Sequence, residues 1–185
     1  MQSFIKKYTK KLITLLKDID TDAISKIVDA FENTKGKIYI IGNGGSAATA
    51  SHMVNDLGIG LKRRGIRSFD VESLNDNTPV CTAISNDIGY DNVFYMQLKD
   101  RITSKDILIA ISCSGNSENV IKAVKYAKKQ KSTIIGVTGF DGGKLKKKSD
   151  INFHVPTSQN EYGLVEDMHM ILDHIIYSYY IEQAK

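Results

Sequence analysis

Two glycine–serine loops and two sets of histidine–carboxylate side chains carry the chemistry available to this sequence. The first loop is Gly42-Asn43-Gly44-Gly45-Ser46; the second is Ser112-Cys113-Ser114-Gly115-Asn116-Ser117. Each follows an apolar run that reads as a strand and opens a segment that reads as a helix. Glycine lets the backbone turn sharply and lets a ligand approach its amides. Free amides at a helix start carry partial positive charge and favour an anion. Serine hydroxyls add neutral donors. Either loop alone is compatible with an ordinary strand-to-helix turn. Together, with three serines in the second, they point to phosphate. The lysine and hydroxyl of a triphosphate loop, G-x-x-x-x-G-K-[ST], are missing, so a phosphate monoester fits better. The first loop also matches the weak dinucleotide pattern G-x-G-x-x-A, with Asp70 or Glu72 as the matching acid; that reading leaves the second loop without a task.

His52 and Asp56 stand four residues apart, on one face of a helix that begins beside the first loop. Near the C-terminus, "EDMHMILDH" supplies Glu166, Asp167, His169, Asp173 and His174. Two imidazoles and two carboxylates brought together would make a divalent-cation site, zinc above all, or a general acid and base without metal. Helical spacing alone sets Glu166, Met170 and Asp173 nearest one face, with His169 to one side and His174 to the other. It does not choose between the histidines. His154, on a strand, reads as structural. Cys113, at a helix start, could have a lowered pKa, but no histidine adjoins it in sequence and a nucleophilic role is not expected.

The elements that must position these groups follow from periodicity. Helical stripes run through Phe4–Asn33, with a break at Asp20–Asp22. Strands are expected at Lys37–Ile41, Ile66–Val71, Asp106–Ser112, "TIIGVTG" and "INFHV". Helices are expected at Ser46–Leu57, capped by Ser46, at Asn77–Ser85, at "YDNVFYMQL", after the second loop, and from Gly163 to about Glu182. Apolar strands alternating with helices indicate a parallel sheet covered on both faces. Ligands in such sheets bind outside the carboxyl ends of the strands.

Composition narrows the class. The 185 residues are 42% hydrophobic and 25% charged, ordinary for one folded domain spanning 1–185, with residues 1–35 as an N-terminal helical segment. The sequence shows no signal peptide and no membrane-length apolar run. Two cysteines make neither a disulfide framework nor a metal pair, and a cytoplasmic setting is expected. The net charge of +4 is scattered; its densest run, "GKLKKKSD", reads as a solvated helix end rather than a nucleic-acid patch.

The segments "IGNGGSAATASHM", "AISNDIGYDNVF", "ISCSGNSENV", "GVTGFDGG" and "VEDMHMILDH" resemble the sugar-isomerase (SIS) domain family over nearly the whole chain, and within it the phosphoheptose isomerases. The resemblance implies a flavodoxin-like three-layer α/β/α sandwich with a five-stranded parallel sheet. It implies a homotetramer with sites between subunits and a zinc ion, with no nucleotide cofactor. The implied reaction is aldose–ketose isomerisation of sedoheptulose 7-phosphate to D-glycero-D-manno-heptose 7-phosphate through an enediol. Carried onto this chain, Asn43, Gly44, Gly45, Ser46, Asn86, Asp87 and Glu166 would contact the sugar phosphate, and Ser112, Cys113, Ser114 and Ser117 would cradle the phosphate. His52, Asp56, Glu166 and His174 would hold the metal, with His174, Asp56 and Glu166 as acid and base. This alignment selects His174 over His169.

The chain departs from the family where Asp56 replaces the usual glutamate, Glu166 the usual glutamine and Cys113 the usual threonine. Asp56 is shorter by one methylene; Glu166 adds a charge that favours a cation. Some SIS proteins are non-catalytic, binding phosphosugars in transcriptional control or a replication initiator. The retained histidines and carboxylates favour chemistry instead.

Overall fold

Five short apolar segments form one parallel sheet. In the computed structural model, which describes residues 1–185, β1 (Ile38–Ile41), β2 (Val71–Ser73), β3 (Ile107–Ser112), β4 (Thr133–Gly139) and β5 (Ile151–Val155) lie in the order β2-β1-β3-β4-β5. All four neighbouring pairs are parallel. Parallel neighbours need crossover connections, and these supply the helices. After α1 (Gln2–Lys17) and α2 (Thr21–Asn33) come α3 (Gly45–Met53) behind β1, then α4 (Thr78–Ile88) and α5 (Val93–Leu98) between β2 and β3. Next are α6 (Glu118–Lys129), α7 (Gly143–Lys148) and the long α8 (Tyr162–Gln183). The strand order is the flavodoxin-like one, and it reverses between β1 and β3.

Alternating strand residues feed two cores. Ile38, Ile40, Ile107, Ile109, Ile135 and Phe153 face one side, where α2, α3 and α8 bring Ile27, Phe31, Met53, Val165, Met168 and Leu172. Tyr39, Ile41, Leu108, Ala110 and Ile134 face the other, under Phe94, Leu98, Val120, Val124 and Leu145 from α5, α6 and α7. With both faces covered, β1 and β3 are buried at every position, which explains their unbroken apolar runs.

Three expectations about local structure are corrected. The second strand begins at Val71, because residues 66–70 lead up to the sheet: Phe69 packs its ring on Phe31 and Tyr180, and the pairing with β1 opens where Ile38 N–H donates to Asp70 O (2.8 Å). Ser46 does not cap α3. The cap is Gly44, whose φ of 55° is the left-handed conformation that glycine tolerates, while Ser46 is the second residue of the helix and is buried. Nor does a regular helix reach Leu57. Beyond Met53 the chain continues as a π turn, Val54–Gly60, and Leu61 N–H donates to Asp56 O five residues back (3.0 Å). Such wide turns often mark functional sites. The break between α1 and α2 falls where expected, with the Asp20 carboxylate accepting from Ala23 N–H (2.9 Å).

Candidate active site

The register of β1 on β3, with Ile41 beside Ala110, brings the two loops side by side at the carboxyl edge. They enclose a cavity of about 170 Å³ lined by Asn43, Ser46, Ile111, Ser112, Cys113, Ser114, Ser117, Tyr162 and Glu166. Amide side chains fix the loops. Asn75 clamps the Gly42 backbone, donating to its carbonyl (2.7 Å) and accepting from its N–H (3.3 Å). Asn43 and Asn119 exchange a reciprocal pair of hydrogen bonds (3.0 and 2.9 Å) that ties the first loop to the start of α6. Tyr90 Oη also donates to Asn43 Oδ1 (2.8 Å). The Ser112 and Ser117 hydroxyls stand 3.2 Å apart. The lining contains no cation: neutral hydroxyls, amides and the N-terminus of α6 are what an anion would meet.

The one charged group in the lining is Glu166. A β-carbon on Gly45 would stand 2.3 Å from its Oε1, so glycine at this position is what allows the carboxylate to close on the N-terminus of α3, where the helix dipole favours it. Beside it, Cys113 is buried, and its thiol is pushed up to about 11 by burial and by the Glu166 charge, against a hydrogen bond with Ser46 that pulls the other way. Burial and charge overcome the helix-start effect, and Cys113 stays a neutral thiol.

The histidines and acids meet elsewhere, between the far end of α3, the π turn and α8. One donor atom from each of His52, Asp56, Asp173 and His174 lies within 4.8 Å of all the others. His52 Nε2 is the hub: 3.2 Å from His174 Nε2, 3.4 Å from Asp56 Oδ2 and 3.9 Å from Asp173 Oδ2. Two nitrogens on one tetrahedral zinc, with bonds of about 2.0–2.1 Å, stand about 3.3 Å apart. The separations therefore fit a shared ion, and the two-nitrogen, two-oxygen donor set suits zinc. Asn55 Nδ2 donates to Asp56 Oδ1 (2.8 Å), orienting that carboxylate. Asp173 is fully buried and neither of its oxygens has a hydrogen-bond partner. Its carboxyl is pushed up to about 7, first by burial and then by the Asp56 charge.

The structure thus sorts the expected residues. Asn43, Ser46, Ser112, Cys113, Ser114, Ser117 and Glu166 line the cavity, with Gly44 and Gly45 forming the turn into α3. His52, Asp56 and His174 converge, and Glu166, expected among the ligands, lies outside that group. It is seven residues before Asp173, two turns or about 10 Å back along α8, and Asp173 takes the fourth place. Asn86 and Asp87 lie outside the cavity lining; both are exposed at the end of α4, Asn86 donating to Asp87 (2.9 Å). His169 is buried away from the cluster, its Nε2–H donating to Thr138 O (3.2 Å), and burial holds its imidazole down at about 4. His154 Nδ1 meets Thr138 Oγ1 (3.0 Å).

Two residues went unread in the sequence, and a third, Asp173, was read only as one acid of the last helix. Asn119 and Tyr90 act through tertiary contacts that no local pattern announces. Asp173 left a trace: it is an acid inside the buried stripe Val165, Met168, Leu172, Ile176 of α8, and a charge in such a stripe needs a partner.

The sequence model of the SIS-domain family matches residues 3–139. The chain belongs to the SIS-domain family, among its phosphoheptose isomerases. It is 39% identical over 181 residues to a phosphoheptose isomerase of Aliarcobacter butzleri (94% of this chain, 93% of the relative). It is 37% identical over 173 residues to one of Helicobacter pylori strain P12 (92% and 87%). Solved structures of this SIS type agree with the fold. A phosphoheptose isomerase of Neisseria gonorrhoeae superposes with a TM-score of 0.85 at 29% identity, covering 96% of this chain and 97% of the other. One from Francisella tularensis gives 0.84 at 26%, covering 97% and 95%. No helix is long and apolar enough to cross a membrane.

Proposed function

We propose that this chain is a phosphosugar aldose–ketose isomerase, converting sedoheptulose 7-phosphate to D-glycero-D-manno-heptose 7-phosphate. One observation carries the reading. The two loops share one hydroxyl-rich cavity at the N-terminus of α3, with Glu166 its one charged group, and the imidazole–carboxylate cluster gathers at the other end of the same helix. From Ser46 to His52 is about 9 Å along the axis, a span suited to a ligand with a phosphate at one end and a carbonyl at the other.

Ser112, Ser114, Ser117 and the amides opening α6 seat the phosphate. The remote phosphate then fixes the position of C1 and C2. Glu166 already closes the start of α3, so the anion belongs to the serine loop. This also argues against a dinucleotide, whose pyrophosphate would need the place the Glu166 carboxylate fills. A divalent cation, zinc by donor type, would be held by His52, Asp56, His174 and an acid of α8, and when bound it supplies positive charge against the oxygen that becomes anionic on enolisation. His174 offers the cluster its Nε2, the same atom that would have to carry a proton. With that nitrogen engaged, Glu166 is the group left to take the proton from the carbon beside the carbonyl and return it to the neighbouring carbon.

A homotetramer with sites between subunits completes the reading. No side chain of α1 or α4 is fully buried within the chain, and Phe4, Ile5, Ile13, Val80 and Ile88 are exposed. Asn86 and Asp87, on α4, would then reach sugar across a subunit boundary. The test is conversion of sedoheptulose 7-phosphate by the purified chain, with and without chelator. Turnover that chelation abolishes and zinc restores is expected; binding of the sugar phosphate with no turnover in either form contradicts the reading.

A further inference from the structure

We propose that Asp173, rather than Glu166, is the fourth protein ligand of a divalent-cation seat built with His52, Asp56 and His174. This deepens the isomerase reading and rests on it for the purpose of the cation.

Three observations converge. The donor atoms of these four residues, and not that of Glu166, lie within 4.8 Å of one another. Asp173 is fully enclosed, and both its oxygens lack any hydrogen-bond donor. A carboxylate so placed is costly unless something pairs with it, and the groups its cluster offers are two imidazoles and a second carboxylate. A cation held among them satisfies both acids at once. Finally, Glu166 has another position: its carboxylate rests against Gly45 at the start of α3 and lines the phosphosugar cavity, two turns of α8 from the cluster.

The assignment has a structural consequence. Donors from α3, the π turn and α8 would then meet on one ion. The cation would pin α8 to α3 while Glu166 stays free of metal to act on the substrate. The two carboxylates of α8 thus take separate tasks.

The experiment uses the full chain stripped with chelator, then titrated with cobalt(II) followed by its visible absorption, and with zinc in competition with a chromophoric chelator. Asp173→Asn should weaken zinc binding by more than about 100-fold, beyond the loss that removing an outer-sphere partner causes, and should lose the tetrahedral cobalt spectrum. Glu166→Ala, which leaves no donor at the position, should bind zinc within about 3-fold of the parent. In the stripped state Asp173→Asn should melt no lower than the parent, since it removes an unpaired buried charge, while its zinc-dependent rise in melting temperature disappears. If Asp173→Asn does not fold, Asp173→Ser carries the same test. Weakened binding in Glu166→Ala with full binding in Asp173→Asn overturns the assignment, as does a parent chain that binds neither ion. A chain that binds zinc through Asp173 but converts no sugar phosphate upholds the ligand assignment and sinks the isomerase reading instead.

Discussion

The cavity and the cluster stand at opposite ends of α3 and are built on opposite principles. The cavity is made of backbone, hydroxyls and amides. Its position follows from sheet register, which sets Ile41 beside Ala110 and hence one loop beside the other. The cluster is made of titratable side chains from separate segments, and it depends on helical phase, on a π turn, and on which side of α8 each residue faces. A site fixed by strand order tolerates changes in side chain; a site fixed by helical phase does not.

That contrast can be broken most sharply at His174. Its truncation to alanine should lower turnover by about 10³-fold, through loss of the several kcal/mol that a bound cation's charge supplies, while sedoheptulose 7-phosphate still binds within a few-fold of the parent affinity, as read by calorimetry. Parental turnover in His174→Ala would remove the cluster from the chemistry. The reverse pattern is expected at the other end of α3. Replacing Ser112 and Ser117 together by alanine should raise KM by about 10- to 100-fold, since hydrogen bonds to a charged group are worth about 1.5–3 kcal/mol each, and should leave zinc binding unchanged. Equal losses of sugar and zinc binding would mean that the two regions are not separable.

Gly45→Ala addresses the contact between the cavity and α8. Its methyl would collide with the Glu166 carboxylate, the movable end of a side chain, so the chain should fold normally while kcat falls by about 10-fold or more from the displaced carboxylate. An unchanged kcat would show that the position of Glu166 is immaterial. His169→Gln should have the least effect on activity, because His169 belongs to neither region. Its signature is in stability. The folded imidazole stays neutral down to about 4, whereas in the unfolded chain it takes up a proton near its usual value of about 6.5. The unfolded state therefore binds more protons in this window, and stability present above pH 6.5 is lost as pH falls towards 4, by about 3 kcal/mol. Denaturant unfolding of His169→Gln, whose amide can still donate to Thr138 O, should show a flatter profile between those pH values.

The same contrast explains what the sequence disclosed. β4, β5 and the two loops were legible because an apolar run ending in glycine and serine has few alternatives in a parallel sheet. The carboxyl-edge position of the site followed from topology. The cluster was half legible. His52 and Asp56 were paired by spacing, but spacing did not choose between His169 and His174, since it does not show that His169 turns to β4 while His174 meets His52. Resemblance placed Glu166 with the ligands, and in the fold it rests against Gly45. β2 was misplaced because residues 66–70 have strand-like composition, and Phe69 spends it on packing rather than pairing. Asn119 and Tyr90 were invisible, as hydrogen bonds across dozens of residues leave no periodic trace.

Most directly, the account requires both ends of α3 to serve one molecule. The deciding measurement is turnover of sedoheptulose 7-phosphate beside unphosphorylated sedoheptulose by the zinc-loaded chain, followed by NMR. Conversion of the phosphate ester to the heptose 7-phosphate, with the free sugar left unchanged at the same concentration, is the predicted result. Conversion of both at equal rates, or of neither, would contradict it.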